Sequence, residues 1–179
     1  MGSIFELIAD RALWAEEDTD ECDICSKSGV PCYPCRGMLV RPDGTADIQT
    51  TVDAVCEACF KAGRVAHIGE FDLNLAIDDF AKDREAARRL LRQTPRCQRI
   101  AQVAQWPVCC GRLTEYTGKP TEAEGIELER SGSCWDGGPI ETKARVGLLA
   151  GIPEAEFRGS LSAYRCLVCA KKYWIFQST

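Results

Sequence analysis

Apolar and polar positions along the chain mark out its elements first. Ile4, Leu7, Ile8, Leu13 and Trp14 fall near helical spacing, and Ser3 with Glu6 has the form of a capping box, so a helix is predicted over residues 3–15. The acidic run at 16–21 reads as a solvated linker, and residues 22–35 as knuckles and turns, with prolines on either side of Cys32 giving an extended, rigid loop. Residues 36–55 read as strands around a turn at Arg41-Pro42-Asp43-Gly44. Cys56 to Gly63 predicts a knuckle running into a short helix that ends at the glycine.

The strongest helical pattern covers 78–93. Phe80, Ala87, Leu90 and Leu91 form an apolar stripe, Asp78 and Asp79 suit the N-terminus, and Thr94-Pro95 ends the run. Leu113, Thr114 and Tyr116 fit a strand. Residues 119–140, rich in Gly, Pro, Glu and Ser, read as a loop or insertion, and 141–150 and 152–157 as short helical segments. Tyr164, Tyr173, Trp174, Ile175 and Phe176 place β-favouring bulk around Cys166 and Cys169, so the C-terminal segment reads strand, knuckle, strand.

Composition narrows the function classes. A net charge of −5 on 179 residues argues against a basic protein that coats nucleic acid. No run of 18 apolar residues exists to span a membrane. The first 21 residues lack the basic start and apolar stretch of a signal peptide, so a cytoplasmic location is expected. In that reducing compartment the twelve cysteines argue for metal ligation over a disulfide framework.

Eight of those cysteines form C-x-x-C pairs: Cys22 with Cys25, Cys32 with Cys35, Cys56 with Cys59, and Cys166 with Cys169. Two intervening residues let a tight turn aim both sulfurs at one ion about 2.3 Å away, and two such turns complete a tetrahedron with no position open to water. Such a site is structural. The spacing leaves two first sets open, in which Cys56 and Cys59 join either Cys22 and Cys25 or Cys32 and Cys35. A second set combines Cys166 and Cys169 with Cys109 or Cys110, both of which could serve only with a strained local turn. Thioredoxin-like chemistry would instead use one motif at a helix start after a strand.

These features predict an α+β protein, one small domain built on zinc knuckles or a zinc ribbon, with β-hairpins and a few helices. It would hold one or two structural Zn²⁺ ions. Catalysis has no positive sign. His67 is the only histidine, which excludes His₂ and His₃ metal sites, and its surroundings read as an exposed turn or strand entry. There is no phosphate loop and no H-E-x-x-H. The stretch from Lys82 to Arg99 has seven basic and two acidic residues, but no aromatic ladder accompanies it, and a solvated helix face accounts for it better than a nucleic-acid patch.

Four segments carry a resemblance: Cys22-Asp23-Ile24-Cys25, then VCEACFKAGRVAHIGEF at 55–71, LLRQTPRCQRIAQVAQWPVCCGRLTEYTG at 90–118, and AYRCLVCAKK at 163–172. In order and spacing they resemble the CbrC family, small cysteine-rich bacterial proteins associated with colicin tolerance. The resemblance covers most of residues 22–172, without the N-terminal helix and the 119–140 loop, and the chain is read as one CbrC-like domain over 1–179: an N-terminal helix and acidic linker (1–21), a first zinc-knuckle subdomain (22–71), and a helix with the second cluster and C-terminal hairpin (78–179). It implies that Cys22, Cys25, Cys56 and Cys59 form one metal site and Cys109, Cys110, Cys166 and Cys169 the other. Cys32 and Cys35 depart from its pattern.

The family implies an immunity protein, not an enzyme, that binds and neutralises a cognate toxin, a nuclease effector, in the producer's cytoplasm. Residues 1–35 hold eight acidic and two basic side chains. Glu16, Glu17, Asp18 and Asp20, with the second strip Glu122, Glu124, Glu127 and Glu129, are the candidate surface for a basic partner. The alternative is a zinc-ribbon module that binds nucleic acid or regulates.

Overall fold

The computed structural model describes residues 2–13, 21–67, 76–95, 106–131, 133–135, 139–140 and 160–176. It is a small mixed α+β structure. Strand β1 (Cys32–Val40) lies between β2 (Ala46–Cys56) and β3 (Val65–His67) in an antiparallel three-stranded sheet. The β1–β2 turn is the expected one. Asp43 Oδ1 accepts from the Thr45 amide at 2.9 Å, and Gly44 takes φ +85°, a region open to glycine without strain. β2 runs directly into helix α1 (Glu57–Lys61), which ends as expected at Gly63, with φ +67°.

Cys32 and Cys35 fall inside β1, not in a loop. Pro34 lacks an N–H for the ladder, and the pairing register shifts between Pro34 and Gly37.

A five-stranded sheet has the order β6 (Glu115–Gly118), β9 (Leu161–Arg165), β10 (Lys172–Phe176), β7 (Ser133–Trp135), β8 (Pro139–Ile140). A two-stranded hairpin, β4 (Val108–Cys109) with β5 (Arg112–Leu113), stands before it. The aromatic run of β10 is buried on both faces because side chains alternate. Tyr173 and Ile175 join the main core, with Phe5, Phe60, Trp106, Tyr116 and Trp135, whereas Trp174 faces a second cluster with Leu128, Leu161 and Ala163. The main core runs through both cysteine-bearing halves. Phe5 meets Tyr33 and Phe60 edge-on at 5.1 and 5.8 Å, and Trp135 meets Tyr173 at 5.8 Å.

Three further expectations need correction. Residues 2–13 form an extended arm with a 3₁₀ turn at Asp10–Ala12, in place of the N-terminal helix predicted within 1–21. The Ser3 amide and hydroxyl both bond Asp10 Oδ1, at 2.7 and 3.0 Å, so Ser3 caps no helix with Glu6. The arm instead pairs with β6: the Tyr116 amide donates to Leu7 O at 2.7 Å and the Ala9 amide to Tyr116 O at 2.9 Å. A short isolated helix is marginal, and this pairing buries Phe5, Leu7 and Ile8.

The helix expected over 78–93 is broken. Residues 76–80 are helical, and α2 (Arg84–Arg92) starts afresh, capped by Asp83, whose side chain accepts from the Ala86 amide at 2.9 Å. The Lys82 amide at the break donates to Gly111 O.

Residues 122–131, expected to be loop, form helix α3 (Glu122–Ser131). Its start is a capping box: the Glu124 carboxylate accepts from the Thr121 amide at 2.9 Å, and Thr121 Oγ1 accepts from the Glu124 amide at 3.3 Å. The segments expected at 14–20 and 141–157 lie outside the described residues. Among the described residues no helix is long and apolar enough to cross a membrane.

Candidate metal centres

Two groups of four cysteines assemble, Cys22, Cys25, Cys56 and Cys59 in one and Cys109, Cys110, Cys166 and Cys169 in the other, each with all four sulfurs within 4.8 Å of one another. No disulfide forms among the described cysteines. The separations suit a metal. Cys25 and Cys56 Sγ are 3.8 Å apart, Cys109 and Cys169 3.6 Å, and Cys109 and Cys110 3.9 Å. A tetrahedron with bonds of about 2.3 Å has edges of about 3.8 Å, whereas bonded sulfurs would lie about 2.0 Å apart.

Two of the supporting turns are the same structure built twice. In the first, the Ser26 amide donates to Cys22 O at 2.9 Å, the Cys22 amide donates to Lys27 O at 3.2 Å, and Ser26 has φ +51°. In the second, the Ala170 amide donates to Cys166 O at 3.0 Å, the Cys166 amide donates to Lys171 O at 2.9 Å, and Ala170 has φ +59°. In each, backbone N–H groups are aimed at the first sulfur, from within the turn at Cys166 and from the end of β2 at Cys22. Cys166 Sγ accepts from the Val168 and Cys169 amides at 3.4 and 3.5 Å, and Cys22 Sγ from the Cys56 amide at 3.4 Å. Such donors stabilise a thiolate.

Asp23 fastens the first knuckle to β2. Its carboxylate accepts from the Asp53 and Ala54 amides at 2.7 and 2.9 Å. Cys56 ends β2 and Cys59 lies in the first turn of α1, so this pair does have the strand-to-helix setting of a redox motif. The arrival of Cys22 and Cys25 makes it half of a four-sulfur cluster instead. Cys32, opposite Cys56 in the ladder, stands outside that cluster, as does Cys35. Of the two sets that the spacing left open, the one with Cys22 and Cys25 is brought together.

The second cluster uses both adjacent cysteines. Cys109 and Arg112 are paired, and the intervening Cys110 and Gly111 have φ of +54° and +76°, the signature of a tight hairpin turn with both central residues left-handed. Trp106 Nε1 donates to Thr114 O at 2.7 Å and Thr114 Oγ1 to Pro107 O at 2.9 Å, clamping the hairpin base. The Tyr173 hydroxyl donates to Cys109 Sγ at 3.1 Å, a contact that the sequence reading missed.

The electrostatics of each cluster is compatible with a bound cation. Burial would push the Cys22 thiol up, but amides of Cys56, Cys25 and Ile24 outweigh it and bring the thiol to about 7. Burial dominates at Cys59 and Cys56 and pushes both up. In the other cluster the Lys171 amide, with neighbouring thiols, lowers Cys169 to about 7, while burial pushes Cys109 up to about 12. One thiolate is thus favoured per cluster, while Cys56 and Cys59 in the first and Cys109 and Cys110 in the second resist ionising. A divalent ion is the group that lets all four ionise together. The two clusters could each hold a metal ion.

Two of the four glutamates in the second acidic strip are in ion pairs. Glu124 pairs with Arg11 at 2.8 Å and Glu127 with Lys172 at 2.7 Å. The bond from the Thr121 amide, then Arg11, lowers the Glu124 carboxyl to about 2. Glu122 is exposed at the start of α3. Glu16, Glu17, Asp18, Asp20 and the side chain of Glu129 lie outside what is described. His67 is in β3, opposite Gly37. Comparison with family models, curated proteins and solved structures finds no match to the chain.

Proposed function

We propose that the protein is a zinc-stabilised immunity protein: it binds a cognate antibacterial toxin, a nuclease effector, in the producer's cytoplasm and neutralises it without catalysing a reaction. The observation that carries this reading is the pair of closed four-sulfur clusters attached to one continuous core. Four thiolates within 4.8 Å leave room for one tetrahedral ion, and zinc is the usual occupant of such a set. With every coordination position filled by sulfur, the ion fixes shape and offers no site to a substrate. A surface held in advance loses less entropy on docking, which suits an inhibitor.

The resemblance to the CbrC family supports the toxin as partner, and the repeated knuckle with its adjoining strands supports a zinc-ribbon architecture for the second cluster. Pairing of Glu124 and Glu127 moves the weight of the proposed acidic surface to Glu16, Glu17, Asp18 and Asp20. The nucleic-acid module ranks second: among the 82–92 cations, Arg88 is engaged by Asp78 and Glu85.

The test is expression of the chain with the toxin encoded beside its gene. Growth is expected to be rescued and a stoichiometric complex to purify, with two zinc ions per chain. If the toxin is neither bound nor neutralised, the reading fails.

A further inference from the structure

A groove of about 600 Å³ separates α2 from the second knuckle and its neighbouring hairpin turn. Ala86, Arg89, Leu90 and Gln93 line one wall, and their spacing places them on one helix face. Ala87 lines the groove too, where this wall meets the core that Ala87 and Leu91 enter. The opposite wall is Leu113 with the knuckle tip, Leu167 and Val168. Those tip residues are 40% and 61% exposed, although large and apolar. Their exposure is built in: the Val168 and Cys169 amides are committed to Cys166 Sγ, which turns the tip outward.

Charge on the groove opposes that of the chain. Lys82, Arg89 and Arg112 line it, and among the described residues none of the three forms an ion pair. Of the two acids present, Asp83 is occupied as the cap of α2, which leaves Glu6. Three cations thus stand over an apolar floor on a protein of net charge −5. The stem of Lys82 packs so closely over Gly111 that a Cβ there would meet its Cγ at 2.4 Å.

We infer that this groove is a docking site for an acidic segment of a partner protein, one that sets an aliphatic or aromatic anchor against Leu90, Leu113 and Val168 while its carboxylates meet Lys82, Arg89 and Arg112. The apolar lining and the fixed tip supply a preorganised anchor pocket, and the unpaired cations supply orientation. A nucleic-acid strand fits less well, because no aromatic side chain lines the groove to stack a base. The inference goes beyond the toxin reading and does not depend on it, since any partner with such a segment would satisfy it.

The test is selection of a random twelve-residue peptide library on the metal-loaded full chain. Enriched peptides are expected to carry two or more Asp or Glu around a Leu, Ile, Val or Phe. A labelled synthetic representative is then titrated by fluorescence anisotropy. Binding should weaken at least about tenfold in the Arg89→Glu/Arg112→Glu variant, and similarly in Val168→Asp, and should be unchanged in Lys27→Glu. Metal content and circular dichroism establish that each variant is folded. Failure to enrich any peptide, enrichment without acidic bias, or equal binding by the double variant overturns the inference. So does binding of a twenty-nucleotide single strand that requires Arg89 and Arg112 where no acidic peptide binds.

Discussion

Ser26, Cys110 and Ala170 are the three non-glycine residues with positive φ among those described, and each stands in a turn that presents cysteine sulfurs. A left-handed backbone costs a residue with a Cβ roughly 1–2 kcal/mol, so the strain is concentrated where the sulfurs must converge. Glycine removes that cost at Ala170 but gives back entropy. Ala170→Gly is therefore expected to stabilise the metal-loaded protein by about 0.5–1 kcal/mol, read from the denaturant midpoint. The cysteines themselves separate by position. Cys22→Ser is expected to lose one metal equivalent and unfold the N-terminal half, since structural zinc contributes on the order of 10 kcal/mol in peptides. Cys32→Ser, one strand away from the cluster, is expected to keep both equivalents. Metal analysis beside circular dichroism checks the two, and equal losses would return Cys32 to the ligand set.

Among the elements, α3 was legible in the sequence but masked by its composition. Thr121 and Glu124 spell a capping box, yet the surrounding Gly, Pro and Ser read as loop. Thr121→Ala is expected to cost about 1 kcal/mol, seen in thermal unfolding. The N-terminal arm shows the opposite case. Its apolar spacing is helical, but the free edge of β6 offers backbone bonds and a buried place for Phe5. Strand β6 also carries Glu115, only 1% exposed, opposite Arg165, whose guanidinium reaches it at 2.6 Å. Burial pushes this carboxyl up, and ion pairing, Arg165 included, brings it below the ordinary value. Stability from a lowered carboxyl is present above its unfolded pKa and is lost as pH falls through the folded one. Glu115→Gln is thus expected to cost about 1–2 kcal/mol near neutrality, discounted because Arg165 is half exposed. The difference from the unsubstituted protein should shrink below about pH 4, as denaturation at several pH values will show.

The two clusters are unequal parts of the whole molecule. In the first only Cys25 is exposed, whereas in the second Cys110 and Cys169 both reach solvent. A chelator should therefore strip one equivalent quickly and the other slowly, followed by a metal-sensitive dye, and Cys166→Ser should abolish the fast phase. Release in one phase would contradict the unequal burial. The sequence by itself determined the ligand chemistry, the short helix after Cys56 and the C-terminal strand–knuckle–strand, because two-residue spacing, capping glycines and alternating bulk act within a few residues. Which of the spaced cysteine pairs come together, the course of the N-terminal arm, the break before α2 and the cationic groove were decided only by tertiary structure. Each depends on groups tens of residues apart, and it is the common core that brings them within bonding distance.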